Sequence, residues 1–402
     1  MQPKDPTARK PNSPAGNGNT DQPSKKSSNS ESEGSVISSR QSASIIASTM
    51  IGVGVLTLPR VAVHGTNQSG WIGIVIGTAI AMLMTWVISR LGGRFGGQSI
   101  VGYGAELLAP PRLKWIGKVL VFPFLLLLLV YWGWASALVA RLFGEVVSTT
   151  MLPTTPVEVI IVTMLVAGLF MTMYAVEVMA RVNEIMLPLI VVPILIIAVS
   201  SFQSGRLENL FPLFDLDWKM VMTSSFIMTS TMLGFEVMLL FSANVQQSPH
   251  LIRSNMIGVS IPGLLYLLIA IAGISVFGYE ELQLLAWPTL ELVKTTEVPG
   301  LILERLESAF LAVWVTAVFT TLANFYYATA LIIKQMFKFS SHRWISVILL
   351  PVLYWLAMRP DNLYQLFATQ NIIGNMGMVA GLGIPLFFGL VGVLRRGKSE
   401  KG

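Results

Sequence analysis

Cysteine is absent from the 402 residues, and histidine occurs only three times. The first absence excludes a disulfide framework, a thiol nucleophile and thiolate metal sites. The three histidines, His64, His250 and His342, form no close set, so no metal or cofactor is expected. Charge is scarce as well: 12% of the residues are Asp, Glu, Lys or Arg, against roughly 25% in ordinary globular chains. A soluble surface of this size cannot be kept wet by so few charges. Hydrophobic residues make up 53% and the mean hydropathy is +0.67, which excludes a disordered or collagen-like chain and points to an all-α integral membrane protein.

Residues 1–35 differ from the rest. Their only apolar members are Met1, Ala8 and Ala15, too few to offset chain entropy by burial, so a disordered polar tail is expected. A basic start without an apolar core behind it is not a signal peptide. The net charge of +6 is not that of a nucleic-acid binder, because the basic residues sit between long apolar runs.

A bilayer core of ~30 Å needs about 20 mostly apolar residues in a helix. Ten segments qualify, near 40–60, 70–91, 116–144, 157–175, 182–202, 220–242, 253–277, 304–334, 344–358 and 371–394. They are continuously apolar rather than alternating, which favours helices over barrel strands. With both termini cytoplasmic, 20 of the 27 Lys and Arg fall on the cytoplasmic side, as the positive-inside rule asks of an even number of crossings. The expected organisation is a ten-helix transmembrane domain over 36–396 and a cytoplasmic tail over 397–402.

Two segments carry an odd centre. The first reads Ser48-Thr49-Met50-Ile51-Gly52-Val53-Gly54 and the sixth Thr229-Ser230-Thr231-Met232-Leu233-Gly234-Phe235-Glu236. Glycine weakens a helix by about 1 kcal/mol relative to alanine. Either site alone is equally well read as close helix packing. Together, offset by about 180 residues, they give a broken helix at the same place in each of two five-helix halves, which is the pattern of a transporter-type inverted repeat. Half-helix N-termini would then face a ligand carboxylate, and the neighbouring hydroxyls would cap freed backbone groups or touch the ligand.

Glu236 is an acid at membrane depth, where its insertion costs at least ~2.5–3.5 kcal/mol. It must face a polar cavity, find a partner or be protonated. A proton-responsive or amine-binding carboxylate and a structural latch on the broken helix both remain open. Thr320, Thr321 and Asn324 fall within one turn of the eighth segment, where they either line a cavity opposite the first break or bond back to their own helix. Tyr131, with Trp132 and Trp134, either walls a pocket or packs. Glu177 and Arg181 have the i,i+4 spacing of an ion pair.

The stretch Ile37-Ser38-Ser39-Arg40-Gln41, the run IGVGVLTLPR and the GFEV of the sixth segment resemble the spore germination B-subunit family of endospore-forming bacteria. So does the external LAWPTLELVK beginning at Leu285, with the Pro299-Gly300 and Leu303-Glu304-Arg305-Leu306-Glu307 that follow it. The resemblance runs from about 36 to 396. It implies a leucine-transporter-type fold of ten helices, in the amino acid–polyamine–organocation superfamily, with helices 1 and 6 broken. It implies a receptor subunit in the spore inner membrane, beside a membrane-embedded A subunit and a lipoprotein C subunit. A small germinant, of the amino acid class, would bind at Gly52, Gly54, Thr231, Gly234 and their neighbours, including Ser48, Thr49, Val53, Thr229, Phe235 and Tyr131. A proton-coupled amino acid transporter on the same fold is the competing reading. An intramembrane enzyme is not expected: the His-Glu-x-x-His pattern is absent and no histidine lies at membrane depth. A pore would need oligomerisation to build a ring of charge from Glu236.

Overall fold

The computed structural model describes residues 36–64, 66–110, 113–212, 218–296 and 306–399. The polar stretch 1–35, the Pro299-Gly300 and Leu303-Glu304-Arg305 of the resemblance, and residues 400–402 lie outside them. Regular structure among the described residues is helical, apart from one isolated bridge between Ile37 and Val245.

Two series of helices follow one another. In the first, α1 (Ser39–Ile51) and α2 (Gly54–Val63) form a span bent by 61°. The long α3 (Gly70–Arg94), the short α4 (Ile100–Leu108), the long α5 (Lys114–Thr150), the shorter α6 (Val157–Thr172) and the long α7 (Val176–Ser201) complete it. In the second, α8 (Trp218–Thr231) continues after a 52° bend into a segment built around α9 (Met238–Phe241). Then come the long α10 (Leu251–Leu284), the short α11 (Pro288–Thr295), the long α12 (Leu306–Phe337), the shorter α13 (Arg343–Ala357), and α14 (Leu363–Met378). A π-helical stretch, Val379–Gly383, carries α14 into α15 (Ile384–Ser399). Each half therefore runs bent pair, long, short, long, shorter, long, as a five-plus-five repeat requires.

Six helices are long and apolar enough to cross a membrane, and the two bent pairs raise this to eight by length and composition. The 16 residues of α6 and the 15 of α13 fall below the about 20 of a straight crossing; the expected ten crossings depend on these two.

Lipid gives little hydrophobic incentive for helices to pair, so close packing has to do it. At Gly258 of α10 a Cβ would stand 2.7 Å from the carbonyl oxygen of Ala43 in α1, a backbone approach that only glycine permits. Large side chains such as Trp132, Trp314 and Tyr326 fill the interior. Leu83, Phe122, Val192 and Leu390 stay exposed on the outside, as acyl chains demand.

The start of α1 is fixed twice. Ser38 and Gln41 form a reciprocal capping box, which satisfies two of the free N–H groups of the first turn. Ile37 exchanges backbone bonds with Asn244 and Gln246, tying the entry of the first span to the exit of the second broken one.

Some boundaries differ from expectation. α7 begins at Val176 and takes in Glu177 and Arg181; the Glu177 carboxylate accepts the N–H of Val36 at 2.7 Å and makes no recorded ion pair with Arg181. α14 begins eight residues before the expected segment, because Gln370 and Asn371 depress the local hydropathy although they lie inside the helix. Arg141, near the end of α5, is 6% exposed. Its Nη2 stands 3.5 Å from Glu145 one turn on, which spares the buried guanidinium from isolation.

Candidate ligand site at the paired helix breaks

Both breaks turn on a glycine with positive φ: Gly52 at +27° and Gly234 at +128°. That region disfavours any residue with a Cβ. The two breaks touch. A Cβ on Gly234 would lie 3.0 Å from the amide nitrogen of Met50 and from the carbonyl carbon of Thr49.

A broken helix in lipid must find new partners for its freed backbone groups. The last turn of α1 finds them in side chains of two other helices. Thr321 Oγ1, on α12, donates to the carbonyls of Ser48 (2.8 Å) and Thr49 (3.3 Å). Tyr266 Oη, on α10, donates to those of Met50 (2.6 Å) and Ile51 (2.8 Å). A buried polar chain braces this end. Thr49 Oγ1 donates to Ile45 O at 2.6 Å and accepts from Asn324 Nδ2 at 2.8 Å. Asn324 and Asn183 of α7 exchange two bonds of 2.9 Å.

The far side of the second break is capped from within. Glu236 is fully buried; its Oε2 accepts the Gly234 N–H at 2.7 Å and its Oε1 accepts from Tyr131 Oη, on α5, at 3.1 Å. The geometry is that of a latch across the break. It also leaves the carboxylate a single hydrogen bond from the cavity that Tyr131 lines.

The other two half-helix ends are different. α2 starts at Gly54 with no side-chain cap. The end of α8 spends its hydroxyls on itself, Ser230 on Ile227 O and Thr231 on Met228 O. This leaves the carbonyls of Ser230 and Thr231 without a recorded partner among the described residues. A Cβ on Gly54 would stand 3.8 Å from Thr231 O, so a helix N-terminus and a helix C-terminus meet here. One end presents N–H groups and partial positive charge, the other carbonyls and partial negative charge.

Both ends open into a cavity of about 200 Å³. Apolar side chains make much of its wall, including Val53, Leu138, Val139, Ile227 and Phe325. The cavity takes in only the last turn of α1, through Thr49 and Met50, and from there extends along α2 and α8. At that end Arg60 sets its guanidinium 4.5 Å from the centroid of the Phe367 ring, and Phe367 packs against Trp287 at the head of α11 (6.0 Å between centroids). Thr289 of α11 donates to Val55 O at 2.6 Å, holding α2 in place. The LAWPTLELVK stretch is thus a wedge against α2.

Of the residues singled out in sequence, Thr49, Gly52, Val53, Gly54, Tyr131, Thr231 and Thr321 line the cavity. Ser48, Thr229, Gly234, Phe235, Glu236, Thr320 and Asn324 do not. Thr229 and Thr320 bond back to Ser225 O and Ala317 O, the Ser48 hydroxyl is buried without a partner, and Gly234 and Phe235 pack behind the wall. Trp132 and Trp134 are not in the lining either. Sequence reasoning missed Tyr266, Arg60, Phe367, Gln370 and Asn371. A lone hydroxyl in the apolar LLYLLIA and the Gln-Asn pair in α14 were the available signals. Among the described residues no three His, Asp or Glu side chains cluster to hold a metal ion.

A family profile described as "Spore germination protein" matches residues 36–366. Spore germination protein A2 of Bacillus subtilis is 28% identical over 357 residues, covering 89% of this chain and 95% of its own length. Spore germination protein YndE of the same organism is 27% identical over 373 residues, covering 91% and 99%. Among solved structures, MhsT in complex with L-phenylalanine superposes with a TM-score of 0.60 at 16% identity, covering 88% of this chain and 87% of its own. The nucleobase-cation-symport transporter Mhp1, with bromovinylhydantoin bound, gives 0.59 at 13% identity, covering 88% and 92%. These likenesses show the fold, which is the leucine-transporter type with both broken helices.

Proposed function

We propose, from the premise that this chain belongs to the spore germination protein family, that it is the germinant-sensing membrane subunit of a spore germination receptor. A small germinant of the amino acid class binds between the broken helices and triggers germination. The subunit crosses the spore inner membrane ten times, with α6 and α13 as the two short crossings and both termini on the spore-core side. It works beside an A subunit and a lipoprotein C subunit. No catalytic role is part of this reading.

The observation that carries it is the pairing of capped and uncapped helix ends. Two of the four ends at the breaks are closed by side chains of the protein itself. The two left over, the start of α2 and the end of α8, face one cavity with opposite polarity. A zwitterion is the complement of that arrangement: carboxylate on the N–H groups of α2, ammonium on the carbonyls of Ser230 and Thr231. The apolar wall and the about 200 Å³ suit a small apolar side chain. Binding shifts a conformational equilibrium only if the two states bind unequally, and a ligand that bridges α2 and α8 meets that condition whenever the two move apart.

The position of Glu236, one hydrogen bond behind Tyr131, favours a second reading on the same site: a proton-coupled amino acid permease. Proteoliposomes of this chain, loaded with labelled amino acids one at a time, separate the two. Saturable binding without flux supports the sensor. Turnover with proton uptake supports the permease, and the absence of binding for every amino acid rejects both.

A further inference from the structure

A second and larger cavity, of about 590 Å³, lies away from the helix breaks, where α3 and α15 end, α5 begins and α4 crosses between them. Arg94, Lys118 and Arg395 contribute three cations to its lining, against the single carboxylate of Glu106. None of the three cations has an ion-pair partner among the described residues. Arg395 Nη1 donates to the carbonyls of Glu106 (2.8 Å) and Ala109 (3.1 Å) at the end of α4, and Arg94 Nη1 to Gly392 O at 2.8 Å. A guanidinium has five N–H donors, so each keeps others for an incoming group.

The pocket is built, not incidental. A Cβ on Gly117 would meet Ala105 O at 2.2 Å, so α4 is pressed onto α5. Phe388 of α15 meets the buried Tyr103 of α4 edge-on at 6.4 Å. The surroundings mark a membrane surface. Trp115 is 68% exposed at the start of α5, and Arg90 stacks over Trp86 at 4.9 Å on α3; aromatic and basic residues gather at that level. Beyond the pocket, exposed apolar residues run along both walls: Val119 and Phe122 on α5, Leu390 and Leu394 on α15.

We propose that this pocket binds an anionic phospholipid, its phosphodiester between Lys118 and the two arginines and its acyl chains along the apolar strips of α5 and α15. A basic pocket between spans at the membrane surface suits such a headgroup, and guanidinium matches phosphate geometry. Glu106 disfavours a second negative charge beside it and accepts from headgroup hydroxyls, which favours a glycerol headgroup. The bound lipid bridges α4, the start of α5 and α15, and its pocket shares no lining residue with the germinant cavity, so the proposal stands independently of the functional reading.

The test is native mass spectrometry on the purified full chain after incubation with equimolar phosphatidylglycerol and phosphatidylcholine of identical acyl chains. Preferential retention of one phosphatidylglycerol is expected. Near a membrane surface each basic residue contributes about 1 kcal/mol, which by the affinity relation is roughly fivefold. Lys118→Gln should therefore reduce the preference about fivefold and Lys118→Glu further, whereas Lys338→Gln, a cation outside the pocket, should leave it intact. Arg94→Gln provides a second lesion. Equal retention of the two lipids, or a preference that survives both Lys118→Glu and Arg94→Gln, overturns the proposal. Displacement of the lipid by an equal concentration of glycerol phosphate also overturns it, because the site would then read a soluble anion.

Discussion

The hydroxyl of Thr321 donates across 2.8 Å to the carbonyl oxygen of Ser48, from α12 to the last turn of α1. Thr321 Oγ1 also lies 2.6 Å from where a Cβ on Gly52 would stand. One side chain thus both caps the broken helix and fills the space its glycine leaves, and the break is set by this pairing rather than by glycine alone.

Thr321→Val keeps the volume and removes the donor. The carbonyl of Ser48 is then buried unsatisfied, at a cost of about 1–3 kcal/mol. The melting temperature of the purified protein should fall accordingly, and Thr321→Ser should restore most of the loss. Equal melting of the Val and Ser variants would show that the hydroxyl carries no capping role.

Gly52→Leu and Gly234→Leu should abolish the germination response while membrane insertion persists. At Gly52 the side chain runs into Thr321. At Gly234 it meets backbone atoms of Thr49 and Met50 within 3.1 Å, so no rotamer escapes. Positive φ adds strain of order 1–3 kcal/mol. A normal dose response in spores carrying either variant, at normal protein level, would remove the breaks from the sensing mechanism.

The breaks were legible because their chemistry is local: glycine beside hydroxyls inside an apolar run is unusual in a single stretch of chain. Glu236 was legible for the same reason, being an acid where acids are expensive. Its partners were not. Tyr131 is 105 positions away from it and looks, in sequence, like any aromatic in a long span. Tyr266, which caps two carbonyls of α1 from 215 and 216 residues away, had no local signal beyond its own hydroxyl. The start of α14 was hidden because hydropathy scores Gln370 and Asn371 as loop, whereas in the fold they face a cavity. The repeat was legible from the two breaks about 180 residues apart; which helix ends face the cavity was decided by contacts between the halves.

Tyr131→Phe and Glu236→Gln should act differently on germination. The first keeps the ring in the cavity wall and deletes the bond to the carboxylate. Hydrogen bonds to charged groups contribute about 1.5–3 kcal/mol, so the germinant dose response should move by roughly tenfold or more. The second keeps an acceptor for the Gly234 N–H and removes the ionisable proton. If Glu236 works as a proton site, Glu236→Gln removes its part of the pH profile of the response, whereas Tyr131→Phe retains a titrating carboxylate and therefore a pH-dependent profile. An unchanged profile in Glu236→Gln would assign the residue to the latch alone.

The last prediction concerns acid stability at a loop outside the spans. His342 Nε2 lies 2.9 Å from the carbonyl oxygen of Thr172, joining the head of α13 to the end of α6, and its ring stands 5.0 Å from that of Tyr327. Burial pushes the imidazole below its ordinary range, the bonds to the Thr172 and Tyr174 carbonyls oppose the shift, and the cations of Lys334 and Arg343 add to it. The folded state therefore binds this proton less readily than the unfolded chain does. Between the folded and unfolded values the unfolded state holds more protons, so stability rises with pH across that window. The contribution of His342 is complete above the ordinary histidine value of about 6.5 and is lost as pH falls through the lowered one. Melting of the native protein should weaken as pH drops from about 7.5 to 5.5. His342→Gln retains a donor for Thr172 O without a titrating group, and should flatten that part of the profile. Parallel pH profiles for the two proteins would place the acid sensitivity elsewhere.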